Sequence, residues 1–252
     1  MDLKNQIAVV TGGSRGLGLG LVEALVERGA RVTVVARTAR DLDRVSSRLG
    51  VATIAADVTD RAEAGRILSA LRPTILALNA GATPEMAPLV EQSWEAFSTT
   101  WDTDVKAGLY WLQAALTTPL PPGSRVLVGS SGAAVNGSPM SGGYAGAKRM
   151  LWTLANYANG VSSENRLGIR FQTVVPLQMI GGTGVGQAGA LAYSARAGVT
   201  PEQFLSRFGA PMPPRQFGEH VVTLLSDPQF EGGRAFGLKG DSGISVLEGE
   251  AA

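Results

Sequence analysis

The stretch IAVVTGGSRGLG, residues 7–18, decides the architecture. A short apolar run meets Thr11-Gly12-Gly13-Ser14-Arg15-Gly16-Leu17-Gly18, which opens a pattern carrying Leu17, Leu21 and Leu25 beside Val22 and Val26. The first run reads as a buried strand and the second as a helix with an apolar face. A strand, clustered glycines and a helix N-terminus together make a phosphate site. Glycine lets the backbone approach the ligand, while open N–H groups and the helix dipole favour an anion. A later run, Gly184-Val185-Gly186-Gln187-Ala188-Gly189, matches G-x-G-x-x-G literally, but it follows Pro176 and a glycine-rich loop. Without a strand directly before it, that run is rejected as the phosphate turn.

Further apolar strands are predicted at 31–36, 51–56, 74–78, 125–129, 169–175 and 234–238. Helical patterns fall at 17–28, 62–71, 105–116, 144–161 and 217–226. Strands apolar on both faces and alternating with helices predict a parallel sheet of about seven strands, covered on both sides. Its crossovers should be right-handed. No repeat or linker divides the chain, so residues 1–252 read as one doubly wound α/β domain. The Pro/Gly-rich piece from Pro176 to Pro214 reads as a lid or small insertion, with the substrate lid placed at 178–214.

Composition excludes several classes. With 44% hydrophobic and 17% charged residues, a sizeable core is expected rather than disorder. The formal charge is +1 without long runs of either sign, which disfavours a nucleic-acid partner. Cysteine is absent, and no His/Asp/Glu cluster has metal-ligand spacing, so no metal is invoked. His220 is the one histidine and reads as a surface or interface residue; with no G-x-S-x-G elbow, a hydrolase is poorly supported. No leader-like segment opens the chain and no apolar run approaches the roughly 18 residues of a membrane span. A cytoplasmic protein without membrane partners is expected.

In an open parallel sheet the carboxyl ends of the strands line the ligand crevice. Asp57 and Val58 stand at the end of the third strand, where Asp57 could face an adenine, and Asn79-Ala80-Gly81 ends the fourth. The second strand ends in Ala36-Arg37, where a carboxylate for a ribose 2′-hydroxyl is missing. Arg37 and Arg15 could hold a 2′-phosphate instead, which points to NADP(H) over NAD(H). Residues 129–148, GSSGAAVNGSPMSGGYAGAK, hold Ser131, Tyr144 and Lys148. On a helix the last two share a face. An ammonium beside a phenol favours the phenolate, which makes a usable acid or base near neutral pH.

Together, Thr11–Gly18, Asn79-Ala80-Gly81, Ser131 and Tyr144-x-x-x-Lys148, thirteen positions after that serine, resemble the short-chain dehydrogenases/reductases. The resemblance covers nearly the whole chain. It implies a Rossmann-type domain, a nicotinamide cofactor and a homo-oligomer, a dimer or tetramer. It also implies Tyr144 as acid/base, Lys148 as holder of the nicotinamide ribose, and Ser131, rather than Ser130, as the group that positions the substrate oxygen. Gly12, Ser14, Arg15, Gly16, Leu17, Gly18, Arg37, Asp57, Val58, Asn79, Ala80 and Gly81 would line the cofactor with Tyr144 and Lys148. Three positions depart from the family pattern. Asp104 stands in place of an asparagine that helps hold a water on the lysine. Leu177 replaces the glycine after Pro176, and Leu78 the first asparagine before Ala80-Gly81.

The implied activity is NADP(H)-dependent reduction of a ketone or aldehyde to an alcohol, or the reverse, with Tyr144 moving the proton. A non-catalytic NADP(H)-binding regulator or scaffold on the same fold is the rival, motivated by Asp104 and Leu177. The stripes Val105, Leu109, Leu112, Leu116 and Met150, Leu154, Tyr157, Val161 step like heptads, and suggest helices paired between copies. Met179, Ile180, Leu191, Tyr193 and Phe204 in the lid, with Arg196 and Arg207 its basic residues, favour an uncharged or mildly polar carbonyl substrate. Glycines between 181 and 189 suggest a lid that closes.

Overall fold

The computed structural model describes residues 1–180 and 182–249. Seven apolar runs pair side by side as β1 (Ile7–Thr11), β2 (Arg31–Ala36), β3 (Ala52–Ala55), β4 (Ile75–Leu78), β5 (Arg125–Gly129), β6 (Arg170–Pro176) and β7 (Gly233–Lys239). The sheet order is β3-β2-β1-β4-β5-β6-β7, all parallel, followed by an antiparallel β8 (Gly243–Gly249) at the edge. The eighth strand was not expected from its sequence. Glu248 explains its place: its carboxylate accepts from Trp152 Nε1 at 2.7 Å and from Asn156 Nδ2 at 3.0 Å, which ties the edge to a helix above the sheet.

That helix is one of ten among the described residues: α1 (Gly16–Glu27), α2 (Ala39–Leu49), α3 (Arg61–Leu71), α4 (Trp94–Thr100), α5 (Lys106–Thr117), α6 (Ala133–Asn136), α7 (Tyr144–Glu164), α8 (Gly184–Ala197), α9 (Pro201–Leu205) and α10 (Pro214–Ser226). Alternation along each strand assigns the two cores. Ala8, Val10, Ile75 and Ala77 point into the core under α1, α2 and α10. Val9, Leu76 and Leu78 point into the core under α3, α5 and α7. Among the described residues no helix is long and apolar enough to cross a membrane.

Several expectations are corrected. Between β2 and β3, where no helix was predicted, stands α2, with Leu42 and Val45 its buried residues. Residues 178–214, read as a lid or small insertion, hold two helices that were not predicted, α8 capped by Thr183 and α9 by Thr200 through a full capping box. Gly184–Gly189 is therefore the first turns of α8, not a phosphate turn. Gly181, the first residue of the glycine-rich lid stretch, lies outside the described residues. His220, read as a surface or interface residue, is half-buried on α10.

The α1 and α10 helices cross at Gly20 and Gly218. A Cβ on Gly20 would meet the Pro214 carbonyl, and one on Gly218 the Gly20 carbonyl. Backbone cannot yield as a flexible side chain can, so Gly20→Ala should cost about 1–3 kcal/mol of stability. Gly65→Ala, in α3 with nothing within 4 Å, should instead stabilise by about 0.4–1 kcal/mol. Urea unfolding of the two variants checks both signs.

Candidate active site

The carboxyl ends of β1, β4, β5 and β6 bring the predicted residues to one edge of the sheet. After β1 the chain turns sharply: Gly12 and Gly16 have φ of 66° and 55°, which side chains rarely adopt. A Cβ on Gly12 would lie 2.7 Å from Ala80 Cα. Gly18 faces the Gly12 carbonyl and, at 2.7 Å from a built Cβ, Asn79 Nδ2. No side chain caps α1, whereas Asp60 caps α3 and Thr183 caps α8. The open N-terminal N–H groups of α1, reached by a backbone without side-chain bulk, fit a phosphate. Ser14 and Leu17 flank this turn half-buried, and Arg15 is exposed.

Arg37 is exposed just past β2, and neither it nor Arg15 makes an ion pair among the described residues. Beyond β3, Asp57 is exposed and accepts from Thr59 N at 2.9 Å and Thr59 Oγ1 at 2.8 Å. These bonds hold its carboxyl below the usual carboxylate range; burial opposes them, and Arg37 and Lys106 add to them. Val58 is buried, with its carbonyl accepting from Trp111 Nε1.

The acid/base candidates come from α7 and the helix beside it. Tyr144 starts α7 and is buried, as is Lys148 one turn on, whose Nζ lies 5.7 Å from the Tyr144 ring centroid. Ser131, half-buried after β5, accepts from Ala133 N at 3.2 Å. Its neighbour Ser130 is buried and donates to the Lys148 carbonyl at 2.8 Å, a structural bond that braces α7. Between α4 and α5 the helix loosens into a π turn at Trp101–Val105. Trp101 Nε1 donates to the Gly143 carbonyl at 3.1 Å, docking this turn against the start of α7.

The π turn delivers Asp104 inward, 2% exposed. Its Oδ2 forms an ion pair with Lys148 Nζ at 2.9 Å, and its Oδ1 accepts from Ala82 N at 2.7 Å. Gly81 is required above it, because a Cβ there would sit 2.7 Å from Oδ2. The resemblance implies that this position helps hold a water on the lysine; the Asp104 side chain pairs with the lysine directly. Burial works to lower the Lys148 value, but Asp104 and Tyr144 outweigh it, and the net direction is upward. Leu177 keeps φ out of the positive range. Its amide donates to the Leu238 carbonyl at 2.9 Å, and its side chain packs over Gly237, beside Trp152 and Val175.

Sequence reasoning missed the contacts between α8 and the segment that precedes α7. Tyr193 Oη on α8 lies 2.9 Å from Ser138 Oγ and accepts from Met140 N at 3.2 Å. Phe204 stacks on Tyr193 with ring centroids 5.9 Å apart. Thr183 packs against Gly16, so α8 begins beside the glycine turn.

A family model described as short chain dehydrogenase matches residues 6–186. The L-xylulose reductase of Mesocricetus auratus is 34% identical over 108 residues, 42% of this chain and 44% of that protein. The matched stretch thus spans less than half the length of that relative. The sorbitol dehydrogenase of Cereibacter sphaeroides is 27% identical over 184 residues, 70% of this chain and 71% of that protein. The crystal structure of a 3-ketoacyl-(acyl-carrier-protein) reductase from Brucella melitensis complexed with NADH superposes with a TM-score of 0.76 at 18% identity, covering 95% of this chain and 98% of that one. At that identity the likeness is one of fold.

Asp104→Ala would strip the buried ammonium of its partner, at an expected cost of about 3–5 kcal/mol near neutral pH. A base whose value rises on folding contributes stability that is fully present below its unfolded value of about 10.4 and lost as pH rises through the folded value. Urea unfolding of wild type and variant, from neutral to strongly alkaline pH, measures the cost and its decline.

Proposed function

The chain belongs to the short-chain dehydrogenase family, and on that premise we propose that it is an NADP(H)-dependent oxidoreductase interconverting a ketone or aldehyde and an alcohol. The observation that carries this reading is the buried Tyr144 and Lys148 on the first turns of α7, at the same sheet edge as the uncapped glycine turn. The cofactor, when bound, supplies or accepts the hydride. The chain does the rest. Tyr144 gives a proton to the substrate oxygen or takes it back, a transfer for which its place beside Lys148 suits it. Ser131 orients that oxygen. Lys148 holds the nicotinamide ribose, and the α1 N-terminus with Gly12–Gly18 receives the pyrophosphate. Asn79–Gly81 allows close approach, and Asp57 with Val58 borders the adenine.

A ketose and its polyol are the first substrates to test, because relatives named for xylulose and sorbitol flank this chain on either side of that chemistry. A homo-oligomer in the cytoplasm completes the reading. Leu109, Tyr157 and Val161 on α5 and α7 remain exposed in the single chain, Tyr157 at 66%, as a face covered by a second copy would.

Tyr144→Phe should lower turnover by about two orders of magnitude or more while leaving cofactor affinity nearly unchanged. NADPH consumption beside a cofactor-binding titration measures both, and near-full activity in this variant rejects the reading. Tight NADPH binding by the wild type with no turnover on any carbonyl would favour the regulator.

The 2′-phosphate assignment rests on Arg37 and Arg15, where two arginines replace the carboxylate an NAD site uses. Arg37→Asp should shift the NADPH/NADH ratio of kcat/KM toward NADH by about tenfold or more. An unchanged ratio rules the assignment out.

A further inference from the structure

We infer that the chain has a second binding site, for a small multivalent oxyanion, in a cavity at the amino ends of β5, β6 and β7. The cavity measures about 640 Å³ and is lined by Arg125, Arg166, Arg170 and Arg234, with Glu231 as its one carboxylate among the described residues. Arg125 and Arg170 begin β5 and β6, while Ser131 and Leu177 follow the far ends of the same strands. The five residues of β5 set the cavity roughly 13 Å or more from the crevice, at about 3.3 Å per residue. Both sites can be filled at once.

Arg125 is a buried charge without a counterion. It is 4% exposed, and it makes no ion pair among the described residues. Its Nε donates to Gln172 Oε1 at 2.7 Å, and its Nη2 donates to the same oxygen and reaches the Leu224 carbonyl at 3.5 Å. Gln172 is itself held, because its Nε2 donates to the Gly233 carbonyl at 2.8 Å and the Phe230 carbonyl at 3.4 Å. Neutral acceptors orient the guanidinium but do not cancel its charge. Burial, and after it the charge of Arg170, push its value down to about 10, against a pull upward from Glu231. A buried cation is costly unless it is paired, and an anion in the cavity is the pair it lacks.

The other charges of the cavity add to the demand. Arg170 Nη1 donates to the Glu231 carbonyl at 2.8 Å and pairs loosely with Glu231 Oε1 at 3.8 Å, so the one carboxylate is already engaged, and its side chain is 60% exposed. Arg166 and Arg234 make no ion pair among the described residues. Arg166 has φ of 52° and stands one residue past Asn165, which closes α7. Glycine is the usual residue at such a position, yet here the chain keeps a guanidinium there. The neutral side chains beside these arginines are already bonded, Asn159 to the Phe171 backbone and Ser162 to the Ile169 backbone. The groups left for a ligand are guanidinium donors.

That donor set selects the ligand. A guanidinium presents paired N–H groups that match two oxygens of a carboxylate or a phosphate. Four of them around one space suit a molecule with oxyanion charge on more than one side, a di- or tricarboxylate or a phosphate-bearing metabolite. A neutral ligand would leave the excess charge uncancelled, and a halide would meet the charge without using the fork. Once bound, the anion bridges the start of β5 to the starts of β6 and β7, and it raises stability by mass action.

Calorimetric titration with citrate and with inorganic phosphate, at an ionic strength held constant with sodium chloride, tests this. The proteins are the wild type, the double variant Arg166→Gln/Arg234→Gln, the milder Arg166→Gln alone, and Arg37→Asp, which alters the crevice at the other edge of the sheet. Arg125 is left in place, since removing a buried group confuses binding with folding; Arg166 is exposed and Arg234 half-buried. The wild type should show a saturable site that weakens by about tenfold or more for each arginine removed and that Arg37→Asp retains. The anion that binds more tightly tells a carboxylate ligand from a phosphate one. In urea unfolding the same anion should raise the midpoint of the wild type and leave that of the double variant unmoved. Equal affinity in wild type and both arginine variants, no saturable binding of either anion, or loss of all binding in Arg37→Asp overturns the inference. None of these results bears on Tyr144 as proton donor.

Discussion

One hydroxyl sits where the two halves of the sheet part company. The strand order runs outward from β1 in one direction and from β4 in the other, so the ends of these neighbours diverge toward opposite helical layers. Thr11 joins them. Its Oγ1 donates to the Ala77 carbonyl at 3.3 Å and accepts from the Asn79 and Ala80 amides at 3.1 and 3.2 Å. Buried backbone amides need such partners. The side chain at the end of β1 thereby fixes the turn at the end of β4, and it brings Gly12 against Ala80 closely enough that only a glycine fits. The crevice that receives a ligand in open α/β folds lies at this point.

From there the constraint passes through Gly81 and Ala82 to Asp104 and on to Lys148. Each contact leaves little room: the glycine admits the carboxylate, the Ala82 amide orients it, and the carboxylate holds the ammonium. The far end of α7 is anchored independently. Asn159 donates to the Phe171 carbonyl at 2.6 Å and accepts from the Phe171 amide, while Glu248 grips Trp152 and Asn156 from the last strand. A helix tied to the sheet along its length can present its first turn with little freedom, which is what the proton transfer proposed for Tyr144 demands.

What could be read from the sequence followed burial. β1, β2 and β5 show up as apolar runs because both faces are covered, and their predicted bounds agree with the strands residue for residue. β8 did not show up, since GISVLEG leaves Val246 and Leu247 exposed and makes its decisive contact through a charged residue. α2 was hidden by its polar surface, and α8 by glycines at positions 184, 186 and 189 that weigh against a helix. In the site, the glycine turn, Ser131, Tyr144 and Lys148 lie at recognisable spacings. The place of Asp104 is legible too, through the resemblance; its direct pairing with Lys148 is not. Asp104 is distant in sequence from Lys148, and it is delivered by a π turn that lies just before the helix predicted from 105.

The bare N-terminus of α1 has a consequence for how long the protein lasts. Its opening N–H groups have no capping side chain, and an unmet helix end is a weak point at which unfolding can begin. On the proposed reading a bound dinucleotide would act as that cap, since any ligand that prefers the folded chain raises its stability as RT ln(1 + [L]/Kd). The group that completes the first helix would then be supplied by metabolism rather than by the gene. Resistance to proteolysis would follow the nucleotide pool.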